Sequence, residues 1–131
     1  FVTRLDFHCS EADAGRKLTE ELIAILRRPD APTAFFATTD YLALRVYDAA
    51  RALKLRIPQE LSVVAIGQSW RLDYFTPALT ALGTDISEMV RQTIRILKSN
   101  LAAASQLDYE RKLVKPQLTV RNSTAAFAAI K

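Results

Sequence analysis

The sequence predicts an α/β domain, a parallel sheet flanked by helices. Three observations predict it. Residues 33–37 and 62–66 are short apolar runs in which Thr33 and Ser62 are the only polar members. Runs of that length, bounded by turn signals, fit strands covered on both faces. Between them Leu42, Val46, Ala49, Ala50 and Leu53 fall on one stripe of helical period. Each apolar run also ends in small polar residues, Thr38 to Asp40 after the first and Gly67 to Ser69 after the second. Strand, loop, helix, strand, loop is the order of an open parallel sheet. In such sheets ligands bind beyond the carboxyl ends of the strands.

The elements follow in order. Residues 2–7 alternate imperfectly and predict a strand. Ser10-Glu-Ala-Asp13 resembles a capping box and opens a helix with Leu18, Leu22, Ile25 and Leu26 on one face, stopped by Pro29 and Pro32. Strand 33–37, a helix from about Tyr41 to Leu53, strand 62–66 and a short strand over 79–82 come next. Asp85-Ile-Ser-Glu88 is a second capping-box-like start. It opens a helix over 85–103 with Ile86, Met89, Val90, Ile94, Leu97 and Leu101 along one stripe and Arg91, Arg95 and Lys98 away from it. Two strands are predicted near 111–115 and 117–121, and the tail 125–131 is a short helix or a frayed end.

Composition narrows the function. The chain has 131 residues, the length of one domain or part of one, and half of them are hydrophobic, enough for a core. One Cys excludes an internal disulfide framework, which fits a reducing cytoplasm. No run approaches the roughly 18 consecutive apolar residues of a membrane helix. The opening Phe-Val-Thr-Arg-Leu-Asp is not a signal peptide, and it lacks an initiator Met, as a piece cut from something longer would. The net charge of +4 comes from scattered cations. The densest group, Arg51 to Arg56, sits at a helix end, where cations favour the negative pole of the dipole. No recognition-helix pattern points to DNA binding by the chain itself.

Catalytic motifs are incomplete. Gly67-Gln-Ser-Trp-Arg71 has the start of a nucleophile elbow, but Arg71 stands where the closing Gly belongs. A nucleophile at Ser69 would need a base, and the only His is His8. His8 and Cys9 are neighbours with no other His or Cys to complete a metal site, so a loop His beside a small buried Cys is expected, and no cofactor. The carboxylates Asp6, Asp40 and Asp73 lie in separate segments, and Asp40 reads equally as a helix cap or first-turn residue and as a ligand contact. Trp70, Leu72, Tyr74 and Phe75 form an apolar cluster that fits either core packing beneath a loop or a subunit interface, where aromatic residues are enriched.

Four blocks of the chain match recurring motifs, in order along the sequence. Pro32, Thr33, Ala34, Phe36, Ala37, Asp40, Ala43 and Leu44 fit the pattern Pro-Thr-Ala-Ile-Phe-Ala-x-Asn-Asp-x-x-Ala-Leu-Gly. Ile57, Pro58 and Glu60 to Val64 fit x-Val-Pro-x-Asp-Ile-Ser-Val-Val-Gly-Phe-Asp-Asp. Pro77, Leu79 and Thr80 fit Pro-Pro-Leu-Thr-Thr, and Leu118-Thr-Val-Arg-Asn-Ser-Thr124 is similar to the terminal Leu-Val-Val-Arg-Asp-Ser-Thr.

Together these blocks resemble the sensor region of lactose-repressor/galactose-repressor (LacI/GalR) transcription regulators, and the resemblance implies the C-terminal lobe of a type I periplasmic-binding-protein-like fold, with residues 1–131 the C-terminal part of an effector-binding and dimerisation domain. It implies that the 85–103 helix belongs to the other lobe. It implies a small-molecule effector, a homodimer, and DNA reached only through an upstream head domain. The three effector positions it carries align with Ser10, Thr39 and Gly67, and each departs from the family pattern; the usual Asp is replaced by Gly67, with Gln68 able to supply an amide. Ligand-binding residues are therefore expected at Ser10, Thr39, Asp40, Gly67 and Gln68. The dimer surface implied by the family is Tyr41, Leu44, Tyr47, Trp70, Leu72, Tyr74 and Phe75. A periplasmic-type solute-binding protein shares the fold and is the alternative. A small α/β enzyme is disfavoured, because no nucleophile–base pair or metal cluster is present.

Overall fold

The computed structural model describes residues 13–67, 70–102 and 111–126. Helix α1 spans Ala14–Leu26, strand β1 Ala34–Ala37, helix α2 Asp40–Ala52 and strand β2 Ser62–Ile66. A 3-10 turn at Trp70–Tyr74 leads to strand β3, Thr80–Gly83, then helix α3, Ile86–Ala102, and strand β4, Gln117–Thr119. The expected strand at 2–7, the Ser10 capping box and most of the tail fall outside the described residues.

The sheet runs β1-β2-β3-β4. The first three strands are parallel, with Ala37 opposite Ala65 and Ala65 opposite Ala81. β4 joins antiparallel, Leu118 opposite Leu82. Helices α1 and α2 pack on each other, and α2 packs on β1 and β2. Their side of the sheet holds the core: Leu18 and Leu22 from α1, Val46 and Tyr47 from α2, and Val63 and Ala65 from β2. Ala43 and Ala49 are fully buried, and such small side chains let the α2 backbone lie close against the sheet.

Local chemistry fixes the helix ends. The Thr39 Oγ1 accepts the Leu42 N–H at 3.2 Å and caps α2, leaving Asp40 in the first turn. Beyond the C-cap Leu53, α2 is closed off by Lys54, whose φ of 57° lies in the left-handed region usually given to glycine, and the Leu55 N–H closes back on the Ala50 carbonyl at 2.9 Å. The Asp85 Oδ1 accepts the Glu88 N–H at 3.0 Å and caps α3. Only half of the expected box forms there, because Glu88 turns to Gln92 and Arg91 instead. Those two donors hold its carboxyl below the usual carboxylate range.

Two expectations need correction, and one helix stands apart. β1 is not covered on both faces: Ala37 is buried but Phe36 is 60% exposed, because α1 and α2 lie on one side only. Residues 111–116 form no strand; Arg111, Lys112 and Lys115 crowd the segment and Pro116 lacks a ladder donor, so pairing starts at Gln117. The stripe of α3, the helix that the resemblance assigns to the other lobe, stays uncovered among the described residues. None of its residues is buried, and Leu97 and Leu101 are 55% and 81% exposed.

The segment after β4 returns to the sheet. The Ser123 Oγ donates to the Val63 carbonyl at 2.6 Å and accepts the Thr80 N–H at 2.8 Å. The Val63 N–H donates to the Ser123 carbonyl at 2.8 Å. Ser123 is fully buried, and these bonds satisfy its hydroxyl at the start of β2 and β3.

Candidate functional site at the carboxyl edge of the sheet

β1 and β2 are parallel neighbours in register, so the segments that follow Ala37 and Ile66 leave the sheet at the same edge. Three expected site residues meet there. Thr39 stands in extended backbone as the cap of α2, and its hydroxyl donates to no acceptor among the described residues. The Asp40 Oδ1 accepts the Tyr41 N–H at 2.8 Å; its second oxygen has no hydrogen-bond partner among the described residues. The Gly67 N–H donates to the Leu82 carbonyl at 3.0 Å, continuing the β2–β3 pairing. Ser10, Gln68, Ser69, His8 and Cys9 lie outside the described residues.

Gly67 is not forced by crowding. A Cβ placed on it would lie 3.7 Å from the Asp40 Cβ and 3.9 Å from both Leu72 methyl carbons, ordinary contact distances. The missing side chain leaves a recess walled by Asp40 and floored by Leu72. With the Gly67 amide already committed to Leu82, the described edge offers the Asp40 carboxylate as acceptor and the Thr39 hydroxyl as a donor. That set suits a ligand presenting O–H or N–H groups.

The aromatic cluster divides. Tyr41, Leu44 and Tyr74 are exposed, Tyr74 at 77%. Tyr47 and Leu72, expected at the dimer surface, are instead core residues, 4% and 1% exposed, and present nothing to a partner. The Tyr47 hydroxyl donates to the Pro77 carbonyl at 2.9 Å, and its ring meets Phe75 edge-on at 5.0 Å. Burial pushes the Tyr47 phenol up to about 12. Phe75 is half-buried by the same contact. Arg45 lies over the Tyr41 ring at 5.3 Å and pairs with Asp48 at 3.1 Å, so the exposed aromatic face carries a cation held in place.

The clasp around Ser123 and the floor residue Leu72 escaped the sequence reading of the site. The only available signal was the terminal Leu118 to Thr124 block, which names residues but not what they hold. Away from the site, an open groove runs between α3 and residues 111–114, lined by Met89, Gln92, Ile96 and Val114 among others.

The model of the periplasmic binding protein-like domain matches residues 2–124. The chain belongs to this family. As a periplasmic-binding-protein-like chain it is 28% identical over 124 residues to the HTH-type transcriptional regulator DegA of Bacillus subtilis, covering 94% of this chain and 34% of DegA. It is 30% identical over 116 residues to the HTH-type transcriptional repressor PurR of Yersinia pestis, covering 88% of this chain and 33% of PurR. The chain thus spans about a third of the length of these relatives. Among solved structures, a LacI family transcriptional regulator from Bifidobacterium animalis superposes with a TM-score of 0.72 at 25% identity, covering 87% of this chain and 41% of that one. A LacI family regulator from Enterococcus faecium with bound ribose gives 0.72 at 24% identity, over 88% of this chain and 41% of that one, a likeness of fold. The relatives are transcription regulators, and the matched portion is their C-terminal sensor region.

Proposed function

We propose that this chain is the effector-sensing and dimerising portion of a LacI-type transcription regulator in the cytoplasm, and not an enzyme. The observation that carries the reading is the meeting of Thr39, Asp40 and Gly67 at the carboxyl edge of parallel strands, in a chain whose relatives are transcription regulators. Gly67 and Asp40 form one wall of an effector site, completed by Ser10 and Gln68. The exposed Tyr41, Leu44 and Tyr74, with the outer edge of Phe75 and with Trp70, form the homodimer patch. DNA is reached through a head domain upstream. The apolar stripe of α3 packs against the other lobe of the sensor, which explains a helix that buries none of its own residues here.

Gly67 in place of a carboxylate makes simple sugars weak ligands, with dissociation constants in the millimolar range, a loss of about 4 kcal/mol against micromolar binding. Titration of the isotope-labelled chain with ribose, followed by amide chemical shifts, tests this. The expected result is small, unsaturated shifts clustered at Thr39, Asp40 and Gly67. Shifts clustered elsewhere would remove the site, and saturation at micromolar ribose would remove the argument from Gly67. For the dimer, Tyr74→Asp is the clean probe, since Tyr74 is exposed whereas Phe75 also supports Tyr47. Sedimentation should show the wild-type chain as a dimer and the variant as a monomer; identical sedimentation would discard the patch.

A further inference from the structure

The recess at Gly67 owes its depth to Leu72, and Leu72 is carried by the 3-10 turn Trp70–Tyr74. What sets the height of that turn against the sheet is therefore a question about the site. Burial of Leu72 holds the turn inward, but apolar burial is non-directional and fixes no register. Two directional contacts do: the Leu79 N–H donates to the Leu72 carbonyl at 3.0 Å, and Arg121 ties the next residue of the turn to the same Leu79. The Arg121 guanidinium donates through Nε to the Asp73 Oδ1 at 2.6 Å and through Nη1 to the Leu79 carbonyl at 3.0 Å. One planar fork thus spans from the turn to the start of β3. The Arg121 side chain is itself four-fifths covered. Its backbone is pinned on both sides: the Arg121 N–H donates to the Thr80 Oγ1 at 2.9 Å, and the Asn122 N–H to the Ala78 carbonyl at 3.1 Å.

We infer that Arg121 is a positioning residue for the floor of the candidate site, holding through Asp73, alongside the Leu72–Leu79 main-chain bond, the turn that seats Leu72 against Gly67. This rests on the reading of the Gly67 edge as an effector site, but the contact itself does not depend on a ligand. Arg121 touches no ligand; it sets how much room the recess offers. A guanidinium is suited to this work because its two donors are fixed relative to each other, so the turn and the start of β3 are held at one separation.

The test is amide hydrogen exchange on the 131-residue chain and its variants. Arg121→Ala should speed exchange at Gly67 and over residues 70–75 by about tenfold, while Val63 and Ala65 in β2 stay within about twofold of wild type. Asp73→Asn leaves the Ser123 clasp intact and should give a smaller effect on the same amides. Arg121→Lys, which restores the charge but not the fork, should fall between wild type and alanine. Unchanged exchange over 67–75 in both Arg121→Ala and Asp73→Asn would show that Leu72 and Phe75 suffice and would overturn the proposal. An equal rise in β2 and in the turn would overturn it too, by making Arg121 a general stabiliser. Because no ligand is added, either failure is distinct from failure of the effector site in the ribose titration.

Discussion

Helices α2 and α3 carry apolar stripes of the same period, each opens on a side-chain cap, and their fates differ. α2 buries Ala43, Val46, Tyr47, Ala49 and Ala50, while α3, four residues longer than the 13 of α2, buries none of its 17. The distinction lies in side-chain size and in neighbours. α2 leads with alanines and lies flat on β1 and β2. α3 leads with Ile86, Val90, Ile94 and Leu97, large side chains that each forgo roughly 1.5–3 kcal/mol when left in water. Periodicity therefore states that a face is apolar, and only the rest of the fold states what covers it.

The contrast can be pressed by substitution. The largest expected effect is in the α2 half. Leu72→Ala, at a position 1% exposed, should cost about 2–5 kcal/mol in urea unfolding. The matching Leu97→Ala in α3, at 55% exposure, should stay within about 0.5 kcal/mol. A loss at Leu97 comparable to that at Leu72 would mean that α3 buries its stripe in solution. A second copy of the chain would then be the partner to look for, by concentration dependence of the unfolding midpoint.

Alkali gives the next contrast. Tyr47 has its phenol pushed up to about 12 by burial. The unfolded chain ionises it near its ordinary value of 10, so the folded state holds the proton longer. Stability is thus full below pH 10 and falls as pH rises through about 12. The loss should reach about 1 kcal/mol by pH 11. Tyr47→Phe should flatten that limb while losing the bond to Pro77 at neutral pH. Alkaline limbs of equal slope in wild type and variant would refute the assignment.

The smallest effects separate the two caps. Thr39→Ala should cost about 1 kcal/mol of global stability, because α2 is bonded into the core. Asp85→Ala removes the comparable cap of α3. It should raise exchange only over the first turn of that helix and leave the global midpoint in place. A shared drop in midpoint would show that α3 unfolds together with the sheet.

Much of this was legible beforehand. Strands at 34–37 and 62–66 and all three described helices fall within a residue or two of their expected places, since apolar period and capping residues are local signals. The convergence of Thr39, Asp40 and Gly67 also followed from strand order alone. What local signals do not carry is the partner. The family resemblance put Tyr47 and Leu72 at a dimer surface, and only their burial and their packing with Phe75 and Gly67 show that they face inward. The 111–115 segment has the β-branched Val114 but no edge to pair with before Pro116. Ser123 is a small polar residue in a polar stretch, and its role depends on residues 60 and 43 positions away.

That separation has a consequence for the order of events in synthesis. A nascent chain that has emerged only as far as α3 already contains three strands and the helices that cover them. The Val63 amide and carbonyl and the Thr80 amide still await the seryl group that will engage them. The centre of the sheet is finished by a segment that emerges only after α3. Folding of β2 and β3 to the native register therefore waits until Ser123 is available, and any chain shortened before Ser123 should expose the β2–β3 seam to proteolysis.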